Sequence, residues 1–100
     1  MSMHTITVQA LMEWTRENRA FQLLDVREPS ERAEGHIGGE HIPLGQLPSQ
    51  TGGLSTEIPV IVYCRSGGRS QKACAILSEK GFDAYNLAGG MTAYIADTEE

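Results

Sequence analysis

Compact apolar runs alternate with helically spaced apolar sets along this chain, and the alternation predicts strands separated by helices. A short "TITV" (residues 5–8) reads as a strand. In "QALMEWTREN" (9–18), Leu11, Met12, Trp14 and Thr15 then fall at helical spacing, with Asn18 as a stop. "FQLLDV" (21–26) is a run suited to a buried strand. "PSERAEG" (29–35) opens with Pro29 and Ser30, carries Glu31 in its first turn and stops at Gly35, the punctuation of a short helix. "HIPL" (41–44) reads as a further short strand closed by Pro43. Residues 45–59 are rich in turn formers and predict a long surface connection with room for a helical turn.

The second half repeats the alternation more strongly. "PVIVYC" (59–64) is rich in β-branched and aromatic residues without polar alternation, so both faces of that strand should be covered. Residues 69–80 form a helix with Ala73, Cys74, Ile76 and Leu77 turned inward and Gly81 as its stop. "DAYNL" (83–87) is a last strand, and "MTAYIADTEE" (91–100) a terminal helix fraying into acid. Strand–helix alternation implies an α/β fold, a central mostly parallel sheet of about five strands with helices on both faces. Ligands of such sheets bind beyond the carboxyl ends of the strands. Cys64 stands at one such end.

Composition narrows the function classes. One hundred residues suffice for a single domain, 1–100, with one modest core. The net charge of −5, with 8 Lys and Arg spread along the chain, argues against nucleic acid as a partner, so any anion site must be local. No segment has the pattern of a signal peptide or membrane span, so no membrane partner and a cytoplasmic location are expected. Cys64 and Cys74 are too few for a disulfide framework and, with His4, His36 and His41, lack the spacing of a zinc site; neither metal nor cofactor is expected.

The chemistry concentrates in "CRSGGRS", residues 64–70. A loop between a strand and a helix N-terminus gathers unpaired backbone N–H groups, and the helix dipole adds partial positive charge. Gly67 and Gly68 let that backbone curl around a common centre. At the rim of such a cradle Cys64 would feel the amides, the dipole and the guanidinium groups of Arg65 and Arg69, all of which favour thiolate over thiol. Cys64 is thus a candidate nucleophile that needs no histidine base. The plainer alternative is a buried strand-end cysteine beside solvated arginines. A nucleotide-binding P-loop would need Gly and Lys where Tyr63 and Arg69 stand. A cysteine phosphatase cradle needs one more residue between cysteine and arginine than Arg65, Ser66, Gly67 and Gly68 supply, so the ring suits a smaller passenger.

These residues resemble the active-site loop of the single-domain rhodaneses, the thiosulfate sulfurtransferase-like family, with Cys64 matching the cysteine that carries a persulfide. "DVREPSE" (25–31) is similar to the family's first signature, "EGHIGGEHIP" (34–43) to its second and "LAGGMTAY" (87–94) to its closing segment. The resemblance implies a rhodanese-like fold and a two-step reaction without a cofactor. Cys64 takes the outer sulfur of a small anionic donor such as thiosulfate and passes it to a thiophile, cyanide or a small or protein thiol. Residues Ser66, Gly67, Gly68 and Ser70 would offer backbone amides to the transferred sulfur, while Arg65 and Arg69 would bind the departing oxyanion.

Arg27 matches the arginine of the first signature and has two open roles, substrate contact or a structural ion-pair set with Asp25 and Glu28. The chain departs from the family in three places. The second signature is a residue shorter, Arg32 stands where an aromatic is common, and Tyr94 where tryptophan is. Sulfur transfer through a persulfide requires no acid or base from His36 or His41, and Cys74 reads as core. A module of the same fold serving sulfur relay or protein docking is the rival reading, with a phosphatase or arsenate reductase third; the physiological donor and acceptor are not legible in the sequence.

Overall fold

The computed structural model describes residues 2–47 and 49–98. The elements run β1 (Ser2–Ile6), α1 (Val8–Arg16), β2 (Gln22–Asp25), α2 (Pro29–Glu34), β3 (Glu40–His41), a 3-10 turn (Leu44–Gln46), β4 (Val60–Tyr63), α3 (Gly68–Glu79), β5 (Asp83–Leu87) and α4 (Gly90–Thr98). The five strands form one sheet in the order β1-β5-β4-β2-β3, every pair parallel. The α/β architecture expected from the sequence is therefore present.

Central strand β4 shows why the sheet needs cover on both sides. All four of its residues are buried, and the two-residue period of a strand splits them. Val60 and Val62 join Leu24, Ala84 and the inward residues Ala73, Cys74 and Leu77 of α3. Ile61 and Tyr63 join Val8 and Leu11 of α1 and Met91 of α4 on the opposite face. α2 buries no residue; Glu31 and Arg32 tie it by polar contacts to Arg69 of α3 and Asp25 of β2.

Several boundaries differ from the sequence reading for local reasons. Thr7 is the cap of α1, its side chain accepting from the Ala10 N–H at 3.0 Å, so Val8 is helical and the strand ends at Ile6. Of the residues at helical spacing in α1, Thr15 is exposed, its hydroxyl donating to the Leu11 carbonyl at 2.9 Å. Asn18 takes φ 56° just past the helix, a left-handed turn that asparagine tolerates. The strand expected over residues 41–44 is Glu40–His41; Ile42 and Leu44 still donate to the Asp25 and Val26 carbonyls at 3.0 and 3.1 Å, and Leu44 then enters the 3-10 turn. Within the long connection Pro48 lies outside the described residues, as do Glu99 and Glu100, where the sequence reading expected the terminal helix to fray. Among the described residues no helix is long and apolar enough to cross a membrane.

One buried group in α3 lacks a partner. The Ser78 hydroxyl is enclosed with no hydrogen bond among the described residues. A buried unsatisfied hydroxyl is destabilising. Ser78→Ala is expected to raise the unfolding free energy by about 1 kcal/mol in urea denaturation; a decrease would mean that the hydroxyl is satisfied in solution.

Candidate active site

β4 delivers Cys64 to the carboxyl end of the sheet, where the chain turns through Arg65 and Ser66 into α3. Gly67 caps that helix at φ 112°, a conformation a β-carbon would strain. The turn brings the Gly67 N–H to 3.1 Å from Cys64 Sγ and the Ser70 N–H to 3.4 Å, with the Ser70 hydroxyl also at 3.4 Å. Cys64 is 1% exposed, so it lies on the floor of the cradle and not at an open rim. Burial by itself pushes its thiol up, but the Ser70 hydroxyl and the N–H groups of Ser70, Gly67 and Ser66 outweigh it and hold the thiol below its ordinary value. For Cys74 burial meets no such donors, and with the Cys64 charge nearby its thiol is pushed up to about 12. Cys74 is core.

The cradle is braced by residues the sequence reading did not assign to it. The first amides of α4 donate to the loop, Met91 N–H to the Cys64 carbonyl at 2.9 Å and Thr92 N–H to the Arg65 carbonyl at 3.0 Å. Gly90 makes this approach possible: at φ 53°, a β-carbon there would lie 2.4 Å from the Cys64 carbonyl oxygen. The paired glycines after the last strand were the available signal. Asn86 of β5 accepts from the Ser70 hydroxyl and donates to the Gly67 carbonyl at 3.3 Å, a contact no local pattern announces.

The arginines divide by role. Arg65 is exposed and forms no ion pair with a described residue. Arg69 gives both terminal nitrogens to Glu31, at 2.6 and 2.8 Å, which clamps α2 to α3. The Arg69 guanidinium and the Glu28 N–H hold the Glu31 carboxyl down at about 2. Arg27 is buried, its Nε and one terminal nitrogen each 2.9 Å from an Asp25 oxygen, and it also donates to the Gly35 carbonyl at 2.7 Å. Burial pushes Asp25 up, but Arg27 prevails and its carboxyl sits below the usual range. Arg32, standing in the family's aromatic position, donates to the Gly39 carbonyl at 2.9 Å and approaches Asp25.

Arg27 nevertheless lines a cleft of about 360 Å³ beside the loop, together with Arg65, Glu31, Glu34, Met91 and Ile95. A larger groove of about 500 Å³ between α1 and Tyr94 includes no residue of the 64–70 loop, whereas the smaller cleft reaches that loop at Arg65. His36 Nδ1 accepts from the Gly38 N–H and His41 Nε2 lies 2.8 Å from the Arg27 carbonyl, so both rings are engaged with backbone. Among the described residues no cluster of three His, Cys, Asp or Glu could hold a metal ion.

A parallel α/β sheet with a cysteine among backbone N–H donors at the carboxyl end of its central strand defines a class of small α/β domains. The chain belongs to the rhodanese-like family, whose domain model matches residues 7–97. It is 37% identical over 100 residues to Bacillus subtilis YtwF, covering 99% of this chain and 97% of that protein. Against the thiosulfate sulfurtransferase GlpE of Pseudomonas aeruginosa it is 38% identical over 89 residues, covering 83% of this chain and 80% of GlpE. A rhodanese-like domain protein from Staphylococcus aureus superposes with a TM-score of 0.84 at 32% identity, over 94% of this chain and 91% of that one.

Proposed function

We propose that this chain, acting as one domain, is a sulfurtransferase that carries sulfane sulfur on Cys64. The observation that supports it most is the set of donors converging on Sγ, the Gly67 and Ser70 N–H groups at 3.1 and 3.4 Å. In the first step the Cys64 thiolate attacks the outer sulfur of thiosulfate; a Cys64 S–S bond forms, the donor S–S bond breaks, and sulfite leaves with the electron pair. In the second, a thiophile such as cyanide attacks the outer sulfur and the Cys64 thiolate departs. The amides of Ser66 to Ser70 stabilise the charge on the transferred sulfur. The thiosulfate sulfurtransferase activity named for GlpE supports thiosulfate as donor. Two free cysteines suit a reducing cytoplasm.

Arg65 is the anion contact in this reading, since it forms no ion pair with a described residue and lines the cleft. Arg69, its charge met by Glu31, serves mainly to hold α2 against α3, and Arg27 meets the departing oxyanion through its edge on the cleft while its other donors brace Asp25. Arg65→Ala is expected to raise the KM for thiosulfate about tenfold with little change in kcat, and Arg69→Ala to raise it less. Initial rates at fixed ionic strength check this; equal effects would put Arg69 in direct contact with the anion.

A sulfur-relay role, with a persulfide thiol or protein as donor or acceptor, is favoured by the apolar side chains of Met91 and Ile95, which line the cleft beside Arg65. Intact mass tests the core of the proposal: reduced protein should gain one sulfur atom at Cys64 with thiosulfate and lose it to cyanide. No gain, with Cys64 still open to alkylation, would point to a docking module or to another oxyanion.

A further inference from the structure

Ser70 has one hydroxyl proton and three acceptors within reach. Its oxygen is 3.4 Å from Cys64 Sγ and 3.2 Å from the Gly67 carbonyl oxygen, and Asn86 Oδ1 is nearer than either. A hydroxyl donates to one acceptor at a time. The orientation of Asn86 is set by its other contact, because Nδ2 donates to the Gly67 carbonyl at 3.3 Å; exchanging O and N would bring two oxygens together. The backbone of Asn86 is fixed by parallel pairing with Val62, two residues before Cys64.

With its proton committed to Asn86, Ser70 Oγ still accepts from the S–H of a protonated Cys64. Against a thiolate the same oxygen presents only lone pairs until the proton swings over, so Asn86 and the sulfur compete. We propose that Asn86 is a positioning residue which, through the single Ser70 proton, limits the hydrogen bonding that the Cys64 thiolate receives. The inference rests on Cys64 being the reacting thiol. Its consequence is kinetic: a thiolate less satisfied by donors is a stronger nucleophile. Once a second sulfur is attached, charge leaves Sγ and the Ser70 proton can return to Asn86.

The ionisable groups on the elements around Cys64 are Tyr63 on β4, Asp25 and Arg27 at the end of β2, Glu31, Arg32 and Glu34 on α2, Arg69, Lys72, Cys74 and Glu79 on α3, and Arg65 in the loop. β5 adds Asp83, which pairs with His4, and Tyr85, which stacks on His4; the first turn of α4 has no acidic residue. None of these is altered by substitution at Asn86.

The test is the pH profile of Cys64 alkylation by iodoacetamide in the whole protein, mapped by peptide mass, with thermal melts to verify folding. Asn86→Ala should move the midpoint to lower pH, with alkylation about threefold faster one pH unit below the wild-type midpoint. Asn86→Leu, which fills similar space without an acceptor, should do the same if the alanine variant folds poorly. Ser70→Ala should move the midpoint to higher pH, and adding Asn86→Ala to it should change nothing more. A residue that merely holds the loop in shape would move the midpoint upward when lost. An unchanged or raised midpoint in both Asn86 variants, or a lowered one in the Ser70→Ala background, overturns the assignment. Alkylation needs no sulfur donor, so these shifts without sulfur gain from thiosulfate would sink the sulfur-transfer reading alone, and sulfur gain without the shifts would sink this one.

Discussion

Cys64→Ser is expected to reduce sulfur transfer from thiosulfate to cyanide by about three orders of magnitude or more, because a serine hydroxyl stays protonated and cannot carry the sulfane sulfur. The fold should survive. Serine is slightly smaller, and its oxygen can accept from the Gly67 and Ser70 N–H groups that now face Sγ at 3.1 and 3.4 Å. Thiocyanate formation and a thermal melt on the same preparation check both halves. Activity within tenfold of wild type would remove Cys64 from the reaction, while a collapsed melting transition would show that the variant reports on folding instead.

Asp25→Ala is expected to destabilise the protein by about 3–5 kcal/mol, the cost of breaking a buried ion pair and stranding its partner. Asp25 is fully buried and accepts from the Arg27 N–H at 3.0 Å and from two guanidinium nitrogens at 2.9 Å each, with Arg32 at 3.5 Å. Its removal leaves Arg27, 6% exposed, without a counter-ion and facing a second guanidinium. For a domain of this size the loss corresponds to a fall in Tm of about 15 °C or more. Asp25→Asn should cost less, since the side chain keeps its shape and one acceptor. A melting temperature near wild type for Asp25→Ala would mean that Arg27 finds water or another carbonyl on relaxing. Activity measured well below the transition then separates bracing from substrate contact: preserved KM assigns Arg27 to the scaffold.

Much of the candidate site was legible because it is local. Strand, loop and helix follow one another without interruption from Val60 to Glu79, so the cysteine, the curled glycine and the helix amides are neighbours in sequence as well as in space. The double role of Arg27 was half legible: the proximity of Asp25 announces the ion pair, but not the cleft edge. Arg69 was harder. Its position in the loop suggests a free anion binder, yet its partner Glu31 is brought up from a helix that the sequence offers no reason to place against α3.

Asn86 and Gly90 were not legible in that way. Each acts on the loop from β5 or the start of α4, and each depends on β5 lying beside β4, which is a property of the sheet order. The sequence by itself determined which segments become strands and helices, that the sheet is parallel, and that Cys64 sits where backbone donors collect, because hydrophobic period, glycine and helix ends act over a few residues. Only the tertiary structure decided which charges are consumed in clamps, how deeply the sulfur is buried and where the Ser70 proton points. Those depend on distances between residues far apart in the chain, and ion-pair and hydrogen-bond energies change over less than the width of one side chain.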